Sequence, residues 1–459
     1  MHVVVAIAPV GHEPRDQLGR ILAVRVEDQG AVPSSVKGRA ASLRVSIDGA
    51  REEVVAIPPG MPLDIPVTPE HPGQNVVAVA IDPPEGEPLQ LTDLNDRAAI
   101  QIEGVRDRLR VLLVSGEPHP GSRVWRNILK SDTNVDLVHF TILRPPDKMD
   151  GVPVDELALI AFPTEALFQE RIEDFDLIIF DRYSVRGILP AAYFDNIRRY
   201  VENGGALLVS SGSEAASVES LHLSPLGAIL PGRPSGRFLD APFVPQLTED
   251  GRRHPVTAAL PGAPDPERPD GAHWGRWLRM GDVIPEPDAE VLMTGGEGLP
   301  LLIASRVGEG RVALLTSDQV WLWARGFEGG GPQAELLRRI AHWSMKEPEL
   351  EEEALLADVS GDLAVRFTRR TMGDSAGPLV VTRPDGQTEE VALTEAGPGR
   401  FTADWTAPEP GLYRLQDGDL RRVLALGPAA PREFEQTVAD AGALQPLVDA
   451  MKDELLAQP

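Results

Sequence analysis

Hydrophobic residues follow two different patterns along this chain. Up to about residue 105, short β-branched runs such as 3–8, 21–28 and 75–81 partly alternate with polar positions, and Gly, Pro, Asn or Asp residues separate them. Short strands at regular spacing with turns of this kind are typical of an antiparallel sandwich. We therefore predict an immunoglobulin-like β-sandwich over residues 1–106.

From residue 108 the chain switches to fully apolar runs, separated by stretches with helical spacing. The apolar runs are 108–116, 135–143, 175–183 and 206–213, and the helical stretch 191–205 closes with Asn-Gly-Gly. Continuous apolar strands that alternate with helices favour a parallel sheet covered on both faces. The pattern predicts an α/β domain over 107–347, which closes with a hairpin and a helix.

An acidic run at 349–358 marks the next boundary. The short strands and Gly-rich turns that follow predict a small β-sandwich over 348–428, and 429–459 reads as a helical tail. A strand begins almost at the first residue, and the last residues stop within a helical pattern. We expect from both ends that the chain is a fragment of a longer protein.

Composition narrows the possible functions of this 459-residue chain. Its formal net charge is −26, so nucleic acid is not a predicted partner, because duplex binding needs Lys and Arg to replace counterions. It has no cysteine, which excludes disulfides, thiolate metal sites and cysteine nucleophiles. No apolar run approaches the length of a membrane-spanning helix. We predict no cofactor and no metal site; Asp93, Asn95 and Asp96 lack a full calcium-loop ligand set.

Several segments of the middle region carry a resemblance when they are taken in order and spacing. They are 111–129, 161–168, 175–183, 197–213, 252–257, 307–323 and 341–350. Together they resemble the class I glutamine amidotransferase-like domain of large bacterial membrane proteins, which occurs beside von Willebrand A and aerotolerance-operon-type modules. The resemblance implies a flavodoxin-like α/β centre flanked by two immunoglobulin-like sandwiches. It also implies a membrane-anchored envelope protein whose soluble region is periplasmic.

The same resemblance implies which partners to expect. Other membrane or envelope proteins are the expected partners, and contact with a membrane would run only through segments absent from this chain.

The active site of that family does not carry over intact. Its nucleophile is a cysteine, and the equivalent turn here is 210–213, where Ser211 and Ser213 are weak candidates for the nucleophile. His254 is the candidate base, but Val256 stands where the family's Glu would follow. The resemblance therefore implies a catalytically inactive domain. A serine hydrolase using Ser211 or Ser213 with His254 is the alternative, and His254 acting with Thr257 to tie down a loop is the ordinary reading.

Polar residues also follow the predicted strands at their carboxyl ends, where ligands of open α/β sheets gather. The candidate ligand-binding residues are Glu117, His119, Ser122, Arg123, Asp181 and Arg182. A small polar or anionic ligand is the functional interpretation, and shaping of the turn and the helix start is the structural one.

Five tryptophans concentrate in the second half of the α/β region, and core packing is their expected role. A glycan-binding platform built from this Trp cluster is a further alternative. We therefore predict a non-catalytic scaffold or ligand-binding region.

Overall fold

The computed structural model describes residues 2–8, 20–27, 40–49, 53–69, 73–82, 97–104, 108–116, 119–141, 163–264, 273–361 and 363–427. The predicted tail at 429–459, Glu117 and the residues weighed for calcium lie outside these ranges.

The first seven strands form two antiparallel sheets that share one apolar core. The strands are β1 (His2–Ala8), β2 (Arg20–Glu27), β3 (Ala41–Ile47), β4 (Glu53–Ile57), β5 (Pro62–Val67), β6 (Gly73–Asp82) and β7 (Arg97–Gly104). One sheet has the order β1-β2-β5 and the other β4-β3-β6-β7. Alternating side chains such as Val24, Leu43 and Val77 fill the space between them.

The middle of the chain builds a sheet of eight strands. They are β8 (Leu109–Ser115), β9 (Val135–Thr141), β10 (Leu177–Asp181), β11 (Ala206–Ser210), β13 (Gln246–Leu247), β15 (Glu290–Thr294), β16 (Pro300–Val307) and β17 (Gly310–Leu315). The spatial order is β13-β15-β16-β17-β11-β10-β8-β9. The five strands from β17 to β9 pair in parallel, and β17, β16, β15 and β13 pair antiparallel.

Helices cover both faces of this sheet, which explains why its strands are apolar on both sides. The helices of this region are α1 (Ser122–Ser131), α2 (Ala191–Glu202), α3 (Glu249–Arg253), α4 (Trp321–Ala324) and α5 (Gln333–Ser344). Side chains of α1 and α5 pack on one face, and those of α2 pack on the other. A separate ribbon pairs β12 (Gly232–Leu239) with β14 (Met280–Pro285).

Two further antiparallel sheets follow the middle region. Their strands are β18 (Ala354–Ser360), β19 (Ala364–Arg370), β20 (Leu379–Thr382), β21 (Thr388–Val391), β22 (Thr394–Gly397), β23 (Arg400–Thr406), β24 (Gly411–Asp417) and β25 (Leu420–Leu426). The orders are β18-β19-β23-β22 and β21-β20-β24-β25, and Phe367, Val381 and Tyr413 lie buried in the shared core.

The predicted fold class is wrong. Among the described residues, those in strands outnumber those in helices, five of the six sheets are wholly antiparallel, and the largest sheet is mixed. The chain is therefore mostly β rather than a flavodoxin-like (class I glutamine amidotransferase-like) α/β core with flanking domains. A fully apolar run indicates that a strand is buried on both faces, but it does not indicate whether the neighbouring strand runs parallel or antiparallel. In the part of the chain that is described, no helix is both long and apolar enough to cross a membrane.

Candidate functional site

Four neighbouring parallel strands end at one edge of the central sheet. Their register aligns Ser115 of β8 with Asp181 of β10, Asp181 with Ser210 of β11, and Ser210 with Leu315 of β17. The polar loops that follow these strands therefore meet at this edge. Ligands of sheets with parallel strands bind at this kind of position.

The loops after β8 and β10 approach each other so closely that one position must be glycine. The Gly116 amide donates to the carbonyl oxygen of Asp181 at 2.8 Å. A Cβ atom added to Gly116 would lie 1.8 Å from the carbonyl oxygen of Arg182. The backbone contact fixes where the side chains of Asp181 and Arg182 begin.

His119 and Asp181 form a buried pair that holds the loop before α1. His119 Nε2 lies 2.8 Å from Asp181 Oδ2, and the two side chains are 3% and 1% exposed. The Gly121 amide donates to His119 Nδ1 at 3.1 Å, so the network assigns the ring proton to Nε2, which donates to Asp181. Both ring nitrogens of His119 are therefore occupied by hydrogen bonds within the protein. Asp181 Oδ1 has no hydrogen-bond partner among the described residues.

A second polar pair lies at the same edge. Ser115 Oγ is 3.0 Å from His139 Nε2, and burial lowers the pKa of His139, with nearby Arg126 adding to that effect. Ser115 is fully buried, so its hydroxyl is closed to any substrate in this structure. The pair satisfies polar atoms at the ends of β8 and β9.

Arg182 lies between two carboxylates from neighbouring loops. Its Nε is 3.6 Å from Glu214 Oε2, and its Nη1 is 3.5 Å from Asp318 Oδ2. Arg279 binds Asp318 through both carboxylate oxygens, at 2.6 and 3.1 Å. Burial opposes ionisation of Asp318, but the hydrogen bonds from Arg279 and Gln319 outweigh it, and the pKa is lowered. Burial raises the pKa of Glu214 despite its bond to the Gly212 amide.

A cleft opens beside Arg182 and Glu214, and we call it the strand-end cleft. Its polar wall is formed by Ser211, Glu214 and His222, and its apolar wall includes Val209 and Leu314. In the part of the chain described, Glu214 Oε2 and His222 Nδ1 are buried atoms without a hydrogen-bond partner. Burial lowers the pKa of His222, which keeps the ring neutral. The cavity measures about 20 Å³, which is room for one water molecule.

The residues predicted to bind ligand are only partly brought together. Ser122 accepts from the His119 amide at 3.2 Å within its own loop, and Arg123 is exposed on α1. Among the members of that set that the structure describes, Arg182 alone contacts a group of the strand-end cleft.

Sequence reasoning missed Glu214, His222, Arg279 and Asp318. Asp318 lies three residues after the end of β17, so the strand-end rule could have found it. Arg279 carries no such signal, because it lies directly before β14 and not after a strand of the central sheet.

The structure does not bring Ser211 or Ser213 together with His254, as the serine-hydrolase alternative requires. His254 Nδ1 accepts from the Val256 amide, and its Nε2 lies 3.4 Å from Glu352. Glu352 binds the side chain of Arg306. In the sheet register, Arg306 of β16 lies opposite Arg311 of β17, and Arg311 lies opposite Ala206, the first residue of β11. Ser211 follows the last residue of β11. His254 therefore lies at the opposite edge of the sheet.

The His-Pro-x-Thr element at 254–257 ties down a loop. The Thr257 hydroxyl donates to the Gly251 carbonyl at 2.6 Å, and both His254 and Thr257 are fully buried.

Four of the five tryptophans of the Trp cluster (Trp274, Trp277, Trp323 and Trp343) are buried in the core and Trp321 is half-buried, so most of the cluster serves packing. Trp274 and Trp277 are 2% and 0% exposed and pack against Trp323 at ring distances of 5.2 and 4.9 Å. The Trp323 indole donates to the Gly275 carbonyl at 2.7 Å. Across the described ranges, no group of three or more His, Asp or Glu side chains is arranged to hold a metal ion.

No protein-family model matches the chain, and no curated protein is significantly similar to it. Among solved structures, it is similar to two cytoplasmic proteins of Salmonella typhimurium. Each has a TM-score of 0.38, at 16% and 17% identity, over 51% of this chain and 99% of theirs. Agd3, described as a novel carbohydrate deacetylase, is similar at 8% identity and a TM-score of 0.29, over 50% of this chain and 32% of that one. Similarities at this level establish nothing about function.

Proposed function

We propose that the central part of this protein binds a small neutral polar molecule in the strand-end cleft and does not turn it over. The observation that carries this proposal is a pair of buried polar atoms on residues that line the cleft, Glu214 Oε2 and His222 Nδ1, which have no hydrogen-bond partner among the described residues. Buried polar atoms in native proteins are nearly always hydrogen-bonded, so an orphaned pair in one cleft calls for an occupant.

The charges around the cleft favour a neutral ligand. Arg182 and Arg279 are paired with Glu214 and Asp318, so the positive and negative groups balance. An anion would have to compete with two carboxylates for the guanidinium groups. A cation would be repelled by those two guanidinium groups. Hydroxyl and amide groups both donate and accept hydrogen bonds, which matches a carboxyl, an imidazole and the Ser211 hydroxyl.

The arrangement of the polar groups supports binding rather than turnover. A serine nucleophile needs a base within hydrogen-bond reach, and the ring of His254 lies at the other edge of the sheet. We retain as part of this proposal that the chain belongs to a membrane-anchored envelope protein, which rests on the sequence resemblance alone. Fractionation of cells with an antibody against the chain would test that placement.

A ligand screen tests the proposal directly. Panels of neutral polyols and amides, carboxylic acids and amines would be compared by thermal shift and titration calorimetry on the full chain. We expect a neutral compound to bind, and we expect Ser211→Ala and Glu214→Gln each to weaken it by roughly tenfold, the effect of losing one buried hydrogen bond. Arg123→Ala, on an exposed face of α1, is the matched control and should leave binding unchanged.

Two results would overturn the proposal. One is binding restricted to charged compounds, or binding that both cleft variants leave intact. The other is measurable esterase or glutaminase turnover that Ser211→Ala or Ser213→Ala abolishes.

A further inference from the structure

The segment Ser213–Glu219, which we call the lid segment, covers one side of the strand-end cleft. It contributes Glu214 and Ala215 to the cleft lining, opposite Pro234 and Val283 of the β12–β14 ribbon. The cavity beneath holds little more than one water molecule. Any larger ligand would therefore need this segment to move.

No side chain of the lid segment anchors it in the apolar core. None of its seven residues is buried, and Val218, its one large apolar residue, is 89% exposed. The next part of the chain differs, because Leu221 and Leu226 are 5% and 0% exposed. The segment itself forms only one short 3₁₀ turn at Ser213–Ala216, a geometry with weak hydrogen bonds.

Two glutamates connect the lid segment to the loop after β10 instead. The Glu214 carboxylate lies 3.6 Å from Arg182 Nε and also accepts from the Gly212 amide. The Glu219 carboxylate accepts from Arg186 Nε at 2.7 Å. The Glu219 carbonyl oxygen accepts from the Val185 amide at 2.8 Å, which adds a backbone bond to the same loop.

We infer that residues Ser213–Glu219 form a lid over the strand-end cleft, held shut by the ion pairs Glu214–Arg182 and Glu219–Arg186. Segments with few buried apolar contacts open at low free-energy cost, and ligand-binding loops are drawn from them. The two pairs differ in character. The side chains of Glu214 and Arg182 are 11% and 15% exposed, whereas Glu219 and Arg186 are 36% and 27% exposed. The buried pair is therefore the main latch. This inference concerns the cleft of the proposed function, but lid opening is measurable without any ligand.

Because the chain has no cysteine, an introduced cysteine is the only thiol that a thiol reagent can modify. Ser211→Cys places one thiol at a wall position that is 7% exposed, and Val218→Cys places one on the exposed surface of the lid. Reaction of each with a bulky aromatic disulfide and with small methyl methanethiosulfonate would be followed on the full chain. We expect the bulky reagent to modify the Ser211→Cys thiol far more slowly than the Val218→Cys thiol.

Weakening either ion pair of the lid should then make the Ser211→Cys thiol on the cleft wall more accessible to the bulky reagent. Adding Glu214→Gln to Ser211→Cys should raise the bulky-reagent rate by about tenfold, and adding Glu219→Gln by about two- to fivefold, as expected for a buried and an exposed pair. Removing a nearby negative charge also makes a thiol more reactive, but that effect raises the rates of both reagents alike. The ratio of the bulky to the small rate therefore isolates lid opening. Thermal melts confirm that each variant is folded, and Glu219→Gln, at the surface, provides the second test.

Two outcomes would overturn the inference that this segment is a lid. In one, the Ser211→Cys thiol reacts with the bulky reagent as fast as the Val218→Cys thiol when both pairs are intact. In the other, neither Gln variant changes the rate ratio. Neither outcome depends on a ligand, so a failed ligand screen and a failed lid test are distinguishable.

Discussion

Glu352 joins the central sheet to the strands that follow it, and its removal should be among the most costly single changes in this protein. Its Oε1 accepts from the Trp343 indole at 2.8 Å and lies 3.4 Å from His254 Nε2, and its other oxygen binds Arg306. The carboxylate is 9% exposed, and Trp343 is 2% exposed. Glu352→Ala would leave the indole N–H buried without an acceptor.

The expected loss follows from which partners are buried. Breaking a fully buried ion pair costs about 3–5 kcal/mol, and an orphaned buried donor costs about 1–3 kcal/mol. The Arg306 side chain is 57% exposed, so water replaces much of its contribution. We therefore expect Glu352→Ala to lower the free energy of unfolding by about 2–4 kcal/mol. Glu352→Gln keeps an oxygen for Trp343 and should cost less.

The pH dependence gives an independent check. Burial opposes ionisation of Glu352, but bonds from His254 and Trp343 outweigh it, and its pKa lies below the ordinary value of 4.5. A carboxyl with a lowered folded pKa stabilises the fold above its unfolded pKa, and the contribution is lost as pH falls through the folded pKa. The difference between wild type and Glu352→Gln should thus stay constant above about pH 6 and shrink below the ordinary carboxyl pKa.

Urea unfolding at pH 7.5 and at pH 3.5 is the assay, followed by tryptophan fluorescence. Asp404→Asn is the matched control, because it breaks the exposed pair with Arg366 and should change nothing measurable. A Glu352→Ala protein as stable as wild type at pH 7.5 would refute the reasoning. So would a difference that grows on acidification.

Two further substitutions test the strand-end edge by denaturant unfolding. Gly116→Ala should cost about 1–3 kcal/mol, because its Cβ would lie 1.8 Å from the Arg182 carbonyl, whereas Gly281→Ala meets its nearest atom at 3.6 Å and should be tolerated. Equal stability of the two variants would contradict the close approach. His119→Ala should cost about 1–3 kcal/mol by leaving both oxygens of buried Asp181 unpartnered, and adding Asp181→Ala should recover part of that loss. A double variant no more stable than the single one would show that the pair is not coupled.

The apolar pattern located strands well but not their pairing. The runs at 108–116, 175–183 and 206–213 contain β8, β10 and β11, because strands buried on both faces leave no polar alternation. The same kind of run forms β16 and β17, which pair antiparallel through a two-glycine hairpin. Period and apolarity describe the environment of a strand, whereas direction depends on the connection between strands.

The histidines show why candidate chemistry was harder to predict than strands. The sequence offers His119 as a ligand-binding candidate and His254 as a candidate base, but the residues next to them in the chain do not decide either role. The groups that decide their roles come from far along the chain: Asp181 for His119, and Glu352 for His254. A histidine whose ring nitrogens are both occupied, as in His119, fixes a loop, and only the fold reveals that occupancy.

The strand-end cleft depends on the same kind of long-range information. Arg182 and Arg186 lie four positions apart after β10, and Glu214 and Glu219 lie five apart after β11. Taken alone, each of these two sets indicates only a charged surface loop. Because β10 and β11 are parallel neighbours, their following loops meet, and the two sets match as two ion pairs. Strand order, rather than either local sequence, thus turns two ordinary charged loops into a latch.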